Sequence, residues 1–232
     1  MKRIILFVAM MAVTLCAGAQ ARHETGKFTL QPFLGGTGAT MTNTPDMRVS
    51  DQWSSETVKG TSIGGGIIGL EAEYVATERV GVALGVNYAE AGTGWDSYKL
   101  YDENYVEYNV RETAWKTGYV NVPLTVNWYV RKGLALKTGF QLCFLTRGKE
   151  YMRTEYKTDG VDYTLEAEQD CKGEFSNFDL AFPIGLSYEF KFPLVIDFRF
   201  NIGVCKVNKN SMGGKNLYNR QATLTLGYKF RL

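Results

Sequence analysis

One histidine, His23, is the chain's whole supply of imidazole, and it precedes the first regular element. Two carboxylates, Glu71 and Glu73, stand two residues apart, the spacing that puts both on one side of an extended chain. Paired carboxylates can serve as general acid and base. Here, however, other charges fall on the same side of neighbouring segments: Lys137, Asp179, Glu189, Asp197, Arg199, Lys229 and Arg231. That company makes ion pairing the reading of Glu71 and Glu73. The run Gly64-Gly65-Gly66 lacks the lysine of a phosphate-cradling loop. Cys143, Cys171 and Cys205 follow no metal-ligand spacing, so neither a metal nor a cofactor is expected. An odd number of thiols cannot all pair, and the three read as small fillers, with a bridge between two of them near one rim as the alternative.

The elements that must position these charges are strands. In the closing stretch QATLTLGYKFRL, Ala222, Leu224, Leu226, Tyr228, Phe230 and Leu232 fall on one side, with Thr223, Thr225, Gly227, Lys229 and Arg231 on the other. Seven earlier segments repeat the pattern, carried by Phe28 to Leu34, Ile68 to Tyr74, Val80 to Tyr88, Val120 to Val130, Leu134 to Phe144, Phe178 to Phe190 and Ile196 to Val204. Tight turns follow the second, fourth and sixth segments, near 76–79, 131–133 and 191–193. Long polar excursions follow the others, near 38–61, 93–116, 148–174 and 207–217.

The amino end reads as an export signal over residues 1–19: Lys2 and Arg3, an apolar run from Ile4 to Cys16, then Ala17-Gly18-Ala19. The mature domain is expected to be residues 20–232. No later window holds the roughly 20 apolar residues of a membrane helix. A net charge of +2 implies no nucleic-acid partner. Eight alternating strands with short turns on one side and long loops on the other predict an all-β, antiparallel, up-and-down transmembrane barrel in the outer membrane, with both termini periplasmic. Apolar side chains would face lipid. A soluble β core could not hold the charged set cheaply, but a small barrel has a lumen just wide enough for side chains, where these charges would pair. Aromatic residues at the short-turn end (Tyr74, Trp128, Tyr188, Phe190, Tyr228, Phe230) would form an interfacial girdle. An arginine at lipid-facing Leu124 or Ile184 is expected to cost more than one at Thr125, and Pro123 to mark a bulge or a break in pairing.

With that frame, the terminal strand resembles the carboxyl-terminal signal read by the barrel assembly machinery. The stretches GYVNVPLTVNWYV from Gly118, GLALKTGFQLCFL from Gly133 and FDLAFPIGLSYEF from Phe178 resemble the PorT-like outer-membrane β-barrel family of Bacteroidota. The resemblance covers the strands, not the long loops. It implies the barrel fold and a non-enzymatic role supporting type IX-like protein secretion or envelope assembly through secretion-system proteins. A histidine-assisted serine enzyme is not expected, because His23 lies on the short-turn side, away from loop-side headgroups. The loops offer an alternative. Residues 150–170 alternate around Asp159-Gly160 and residues 97–115 around 102–104, hairpin signals that would carry Tyr98, Tyr101, Tyr105, Tyr108, Tyr151, Tyr156 and Tyr163 above the membrane. Such a sheet would be either a surface that binds an extracellular ligand or a solvated shield. A small channel is the third reading, and a filled lumen argues against it.

Overall fold

Alternation with period two leaves each strand one apolar and one polar edge of side chains, and the arrangement that gives every backbone donor a partner is a closed ring. A computed structural model describes residues 25–51, 55–103, 106–131, 133–158, 160–210 and 215–232. Residues 1–19, His23, Tyr105 and Asp159 lie outside the described residues. Among those described, the strands are β1 Phe28–Thr42, β2 Met47–Ser50, β3 Ser55–Val58, β4 Gly60–Thr61, β5 Ile63–Thr77, β6 Val80–Trp95 and β7 Tyr98–Tyr101. They continue with β8 Glu107–Arg131, β9 Leu134–Thr158, β10 Val161–Asp170, β11 Phe178–Glu189, β12 Leu194–Gly203, β13 Tyr218–Tyr228 and β14 Phe230–Arg231.

Eight of them form the wall in the order β1-β5-β6-β8-β9-β11-β12-β13, every neighbour antiparallel, and β13 closes the ring on β1 from Phe33↔Gly227 to Thr42↔Tyr218. This is the up-and-down barrel expected from the alternation. Outward positions are apolar and bare, as at Leu34, Ile68, Leu84, Leu124, Phe140, Ile184, Phe198 and Leu224. Inward positions are polar and buried, as at Gln31, Glu71, Asn87, Thr125, Lys137, Asp197 and Thr223. A chain that exposes its large apolar side chains and buries its ions is inside out by the standard of a water-soluble domain.

Proline lacks the ladder donor, and the wall opens a little where one occurs. The β6–β8 ladder jumps from Leu84↔Leu124 to Asn87↔Asn121, skipping Pro123, and the β9–β11 ladder jumps from Gln141↔Ala181 to Thr138↔Ile184, skipping Pro183. Glycine serves the opposite need at Gly185, where an added Cβ would sit 3.0 Å from Arg199 Cγ, so its absence lets that long side chain cross the lumen.

Candidate functional site

Three levels of the barrel carry polar chemistry. At the short-turn end, Glu73 on β5 accepts from Asn127 Nδ2 at 2.8 Å and from the Tyr129 hydroxyl, and pairs with Lys229 Nζ at 2.9 Å. Lys229 also stands 3.5 Å from Glu189 Oε2, and Arg231 pairs with Glu189 Oε1. One level higher, Lys137 Nζ bridges Glu71 Oε1 at 2.6 Å and Asp197 Oδ2 at 2.8 Å. Arg199 reaches the same two carboxylates, Nη2 to Glu71 Oε2 at 2.5 Å and Nε to Asp197 Oδ1 at 2.7 Å. Each level thus holds two acids and two bases and is formally neutral, which is what burial away from water demands.

Asp179 departs from the ion-pair expectation. Its carboxylate accepts from Asn219 Nδ2 at 3.0 Å and from the Cys205 amide at 3.2 Å, and no ion pair to it occurs among the described residues. The reason is height: Asp179 opens β11 at the long-loop end, two levels above the paired charges, beside a plug that is mostly apolar.

That plug could not be read from strand alternation. Phe175, Val207 and Leu217 come from the long-loop side, each fully buried, and pack with Met41, Tyr119 and Leu145. Asn208 holds them in place, donating to Asn210 O at 2.7 Å and Lys215 O at 3.1 Å while accepting from the Leu217 amide at 2.8 Å. Between plug and ion pairs lies a polar layer that includes Asn87, Asn121, Gln141 and Asn201. The void there is about 20 Å³, on the order of one water molecule. Cys143 belongs to the plug, and Cys143, Cys171 and Cys205 are all free thiols, so the bridge entertained from sequence is absent. Burial pushes the Cys171 thiol up to about 11, which keeps it protonated at neutral pH.

Beyond the plug, the expected pair of hairpins is a single sheet. β8 and β9 stay paired from Arg131↔Leu134 up to Tyr108↔Tyr156, with β7 added outside β8 and β10 outside β9. The sheet has two unlike faces. On one, Tyr108, Tyr156 and Tyr163 stack in a ladder, with ring centroids 5.0 and 5.1 Å apart. Leu165 lies on the same face. On the other, charges pair across strands: Lys99 with Glu107 at 2.7 Å, Arg111 with Glu155 at 2.8 Å, and Lys149 with Glu168. The hydrogen bond from Arg111 holds the Glu155 carboxyl below its ordinary range, and that from Lys99 does the same for Glu107.

This sorting corrects the sequence reading of the tyrosines. Tyr98, expected on a binding surface, is buried: the β2–β3 hairpin lays Met47, Val49 and Val58 over it, Trp95 and Val110. Tyr101 and Tyr151 stand on the ion-pair face, the first donating to Glu107 Oε2 at 3.0 Å and the second with Lys116 Nζ 3.6 Å from its ring centroid. Among the described residues of that set, Tyr108, Tyr156 and Tyr163 share the apolar face outside the cover of β2–β3. The sequence signal for the split was present, since Tyr101 and Tyr151 have odd parity against Tyr98, Tyr108 and Tyr156, but the bulge at Val110/Glu112 hides the match between strands.

Compared with known proteins, residues 19–208 match a family model described as "Outer membrane protein beta-barrel domain". No curated protein matches. Solved structures that resemble the chain include Ail, the attachment invasion locus protein of Yersinia pestis, at 12% identity, covering 89% of this chain and 100% of that one, with a TM-score of 0.39. Neisserial surface protein A is similar at 16% identity over 88% of this chain and 97% of that one, TM-score 0.39. OprG from Pseudomonas aeruginosa is similar at 13% identity over 92% and 99%, TM-score 0.39.

Proposed function

The chain belongs to the outer membrane protein beta-barrel domain family, and from that premise we propose a non-enzymatic surface protein whose barrel holds the sheet of β7 to β10 outside the cell as a binding platform. One observation carries this reading: β8 and β9 are each 25 residues long, whereas a tilted strand needs roughly 9–11 to cross a bilayer. The surplus builds a sheet whose apolar face is covered by β2–β3 over one half and bare over the other. There Val161, Tyr163 and Leu165 are about half exposed. Exposed aromatic and aliphatic side chains on a rigid sheet provide contact area at small entropic cost. With neutral ion-pair layers and an apolar plug filling the lumen, the barrel serves as a support and not as a conduit.

In this reading residues 1–19 are the export signal, residues 20–232 the mature barrel, and both termini face the periplasm. Support comes from the Leu232 amide bonding to Phe28 O at 2.9 Å, at the same end as the tight turns. Outer-membrane lipid surrounds the apolar belt, and the terminal strand engages the barrel assembly machinery.

Replacing Tyr156, Tyr163 and Leu165 together by Ser should abolish attachment of expressing cells to host matrix or neighbouring cells, with barrel yield unchanged. A Tyr101→Ser, Tyr151→Ser variant should attach normally. Attachment that survives the first triple change would reduce the sheet to a shield. A second reading, support of protein secretion or envelope assembly, is favoured by the PorT-like strand segments around Pro123. It predicts cargo trapped in the periplasm of a deletion strain, measured by quantitative mass spectrometry, and normal export would end it.

A further inference from the structure

Along the outer surface of β6, β8 and β9, the change from apolar to charged takes one step. Tyr88, Val120 and Phe144 are in register and face outward. The next outward residues are Glu90, Gly118 and Arg147, and above them come Gly92, Lys116 and Lys149. Since outward apolar side chains mark the hydrocarbon and the first charges above them mark the headgroup layer, Arg147 and Lys116 stand at the height of lipid headgroups.

The wall is also interrupted there. β5 and β6 are paired up to Ile67↔Ala89, and pairing resumes only through Thr61↔Gly94 of β4. Across the gap, the Gly66 amide donates to Glu90 Oε2 at 2.9 Å, while the Glu90 carbonyl turns inward to Thr37 Oγ1 at 2.7 Å and Gln221 Nε2 at 3.0 Å. What remains is a concavity of about 470 Å³ whose lining includes Tyr88, Glu90, Arg111, Glu112, Lys116 and Arg147. The Tyr88 ring lies over Gly118, which stands between Glu90 and Arg147 in the register. Three cations meet two carboxylates. Lys116 is paired with Glu112 at 2.8 Å and Arg111 with Glu155 outside the concavity, whereas Arg147 forms no ion pair among the described residues.

We propose that this concavity binds the phosphorylated headgroup of a lipid in the outer leaflet. Arg147 takes two phosphate oxygens with its planar fork, Lys116 supplies a second charge, and the acyl chains run down past Tyr88, Val120 and Phe144. A guanidinium without a carboxylate partner, facing headgroups, matches phosphate in both charge and geometry. Tyr88, Glu90, Lys116 and Arg147 of the lining are outward residues, so the concavity adjoins the lipid-facing side of the wall, where a membrane lipid can reach it. The inference rests on outer-membrane placement and is independent of the binding platform.

The test is native mass spectrometry of the full mature chain in detergent, titrated with bisphosphorylated lipid A, with the same lipid after phosphate removal, and with glucose 1-phosphate. Bisphosphorylated lipid should bind roughly tenfold more tightly than the dephosphorylated form. Arg147→Ser with Lys116→Ser should erase that difference, and Arg147→Lys should keep part of it. Lys149→Ser, whose partner is Glu168, should leave it unchanged. Equal retention of the two lipids, or an undiminished difference in the double variant when its heat-modifiable gel shift shows a folded barrel, would overturn the proposal. So would glucose 1-phosphate binding as tightly as lipid A, which would make the ligand a soluble sugar phosphate.

Discussion

Lys137 is the residue on which the upper ion-pair layer turns, since its one ammonium serves both Glu71 and Asp197. Lys137→Met would leave two buried carboxylates facing Arg199 alone. Removing one partner of a buried ion pair costs about 3–5 kcal/mol, so the urea midpoint of the barrel in lipid vesicles should fall markedly. Changing Glu71 to Met as well leaves Asp197 and Arg199 as a balanced pair and should restore most of the loss. On the opposite face, Leu124→Arg should cost about 2–4 kcal/mol, because it sets a charge against hydrocarbon, while Leu124→Phe should cost little. Arginine at Thr125 was expected to be the milder change. Thr125 is 1% exposed and faces the lumen, so an arginine there meets no hydrocarbon, and its cost is the overpacking of a filled interior, about 1–3 kcal/mol.

At the scale of elements, strand length separates the barrel wall from the outer sheet. The turn at Gly160 adopts a φ of +79°, which glycine takes freely, so Gly160→Val should loosen the end of the β9–β10 hairpin without affecting the wall. The ion-pair face of the outer sheet also responds to pH. Glu107 and Glu155 have carboxyls held below their ordinary range by Lys99 and Arg111, so their contribution to order is present above that range and lost as pH falls through the depressed values. Hydrogen exchange in β7 and the upper parts of β8 and β9, corrected for intrinsic rates, should therefore speed up below about pH 4 while the wall strands stay protected. Unchanged protection would mean that the stacked tyrosines alone hold the sheet.

Taken as a whole, the molecule is a filled cylinder whose β8 and β9 run on into an outer sheet. Ion pairs, amide side chains and the Phe175-Val207-Leu217 plug occupy successive layers of the lumen, so planar bilayers containing the purified protein should show no steady ion conductance. A variant with Phe175, Val207 and Leu217 changed to Ser would lose the plug but keep both ion-pair layers. It should also fail to conduct, whereas steady current would place the barrier in the plug alone.

The number of wall strands, the parity of wall residues between bulges and the sorting of short turns from long loops were determined by the sequence, because period two fixes which side chains share a face; the bulge at Gly118/Tyr119, which turns Arg147 outward, was not. The inward charges were legible for the same reason. Parity, however, carries no information about height or about partners across the lumen. The pairing of Lys137 with both Glu71 and Asp197, the solitary position of Asp179, the plug drawn from polar-looking loops, the burial of Tyr98 beneath β2–β3 and the gap between β5 and β6 were decided only by ring closure. Closure fixes the stagger between strands, and the stagger sets which residues, far apart in the chain, meet at one level.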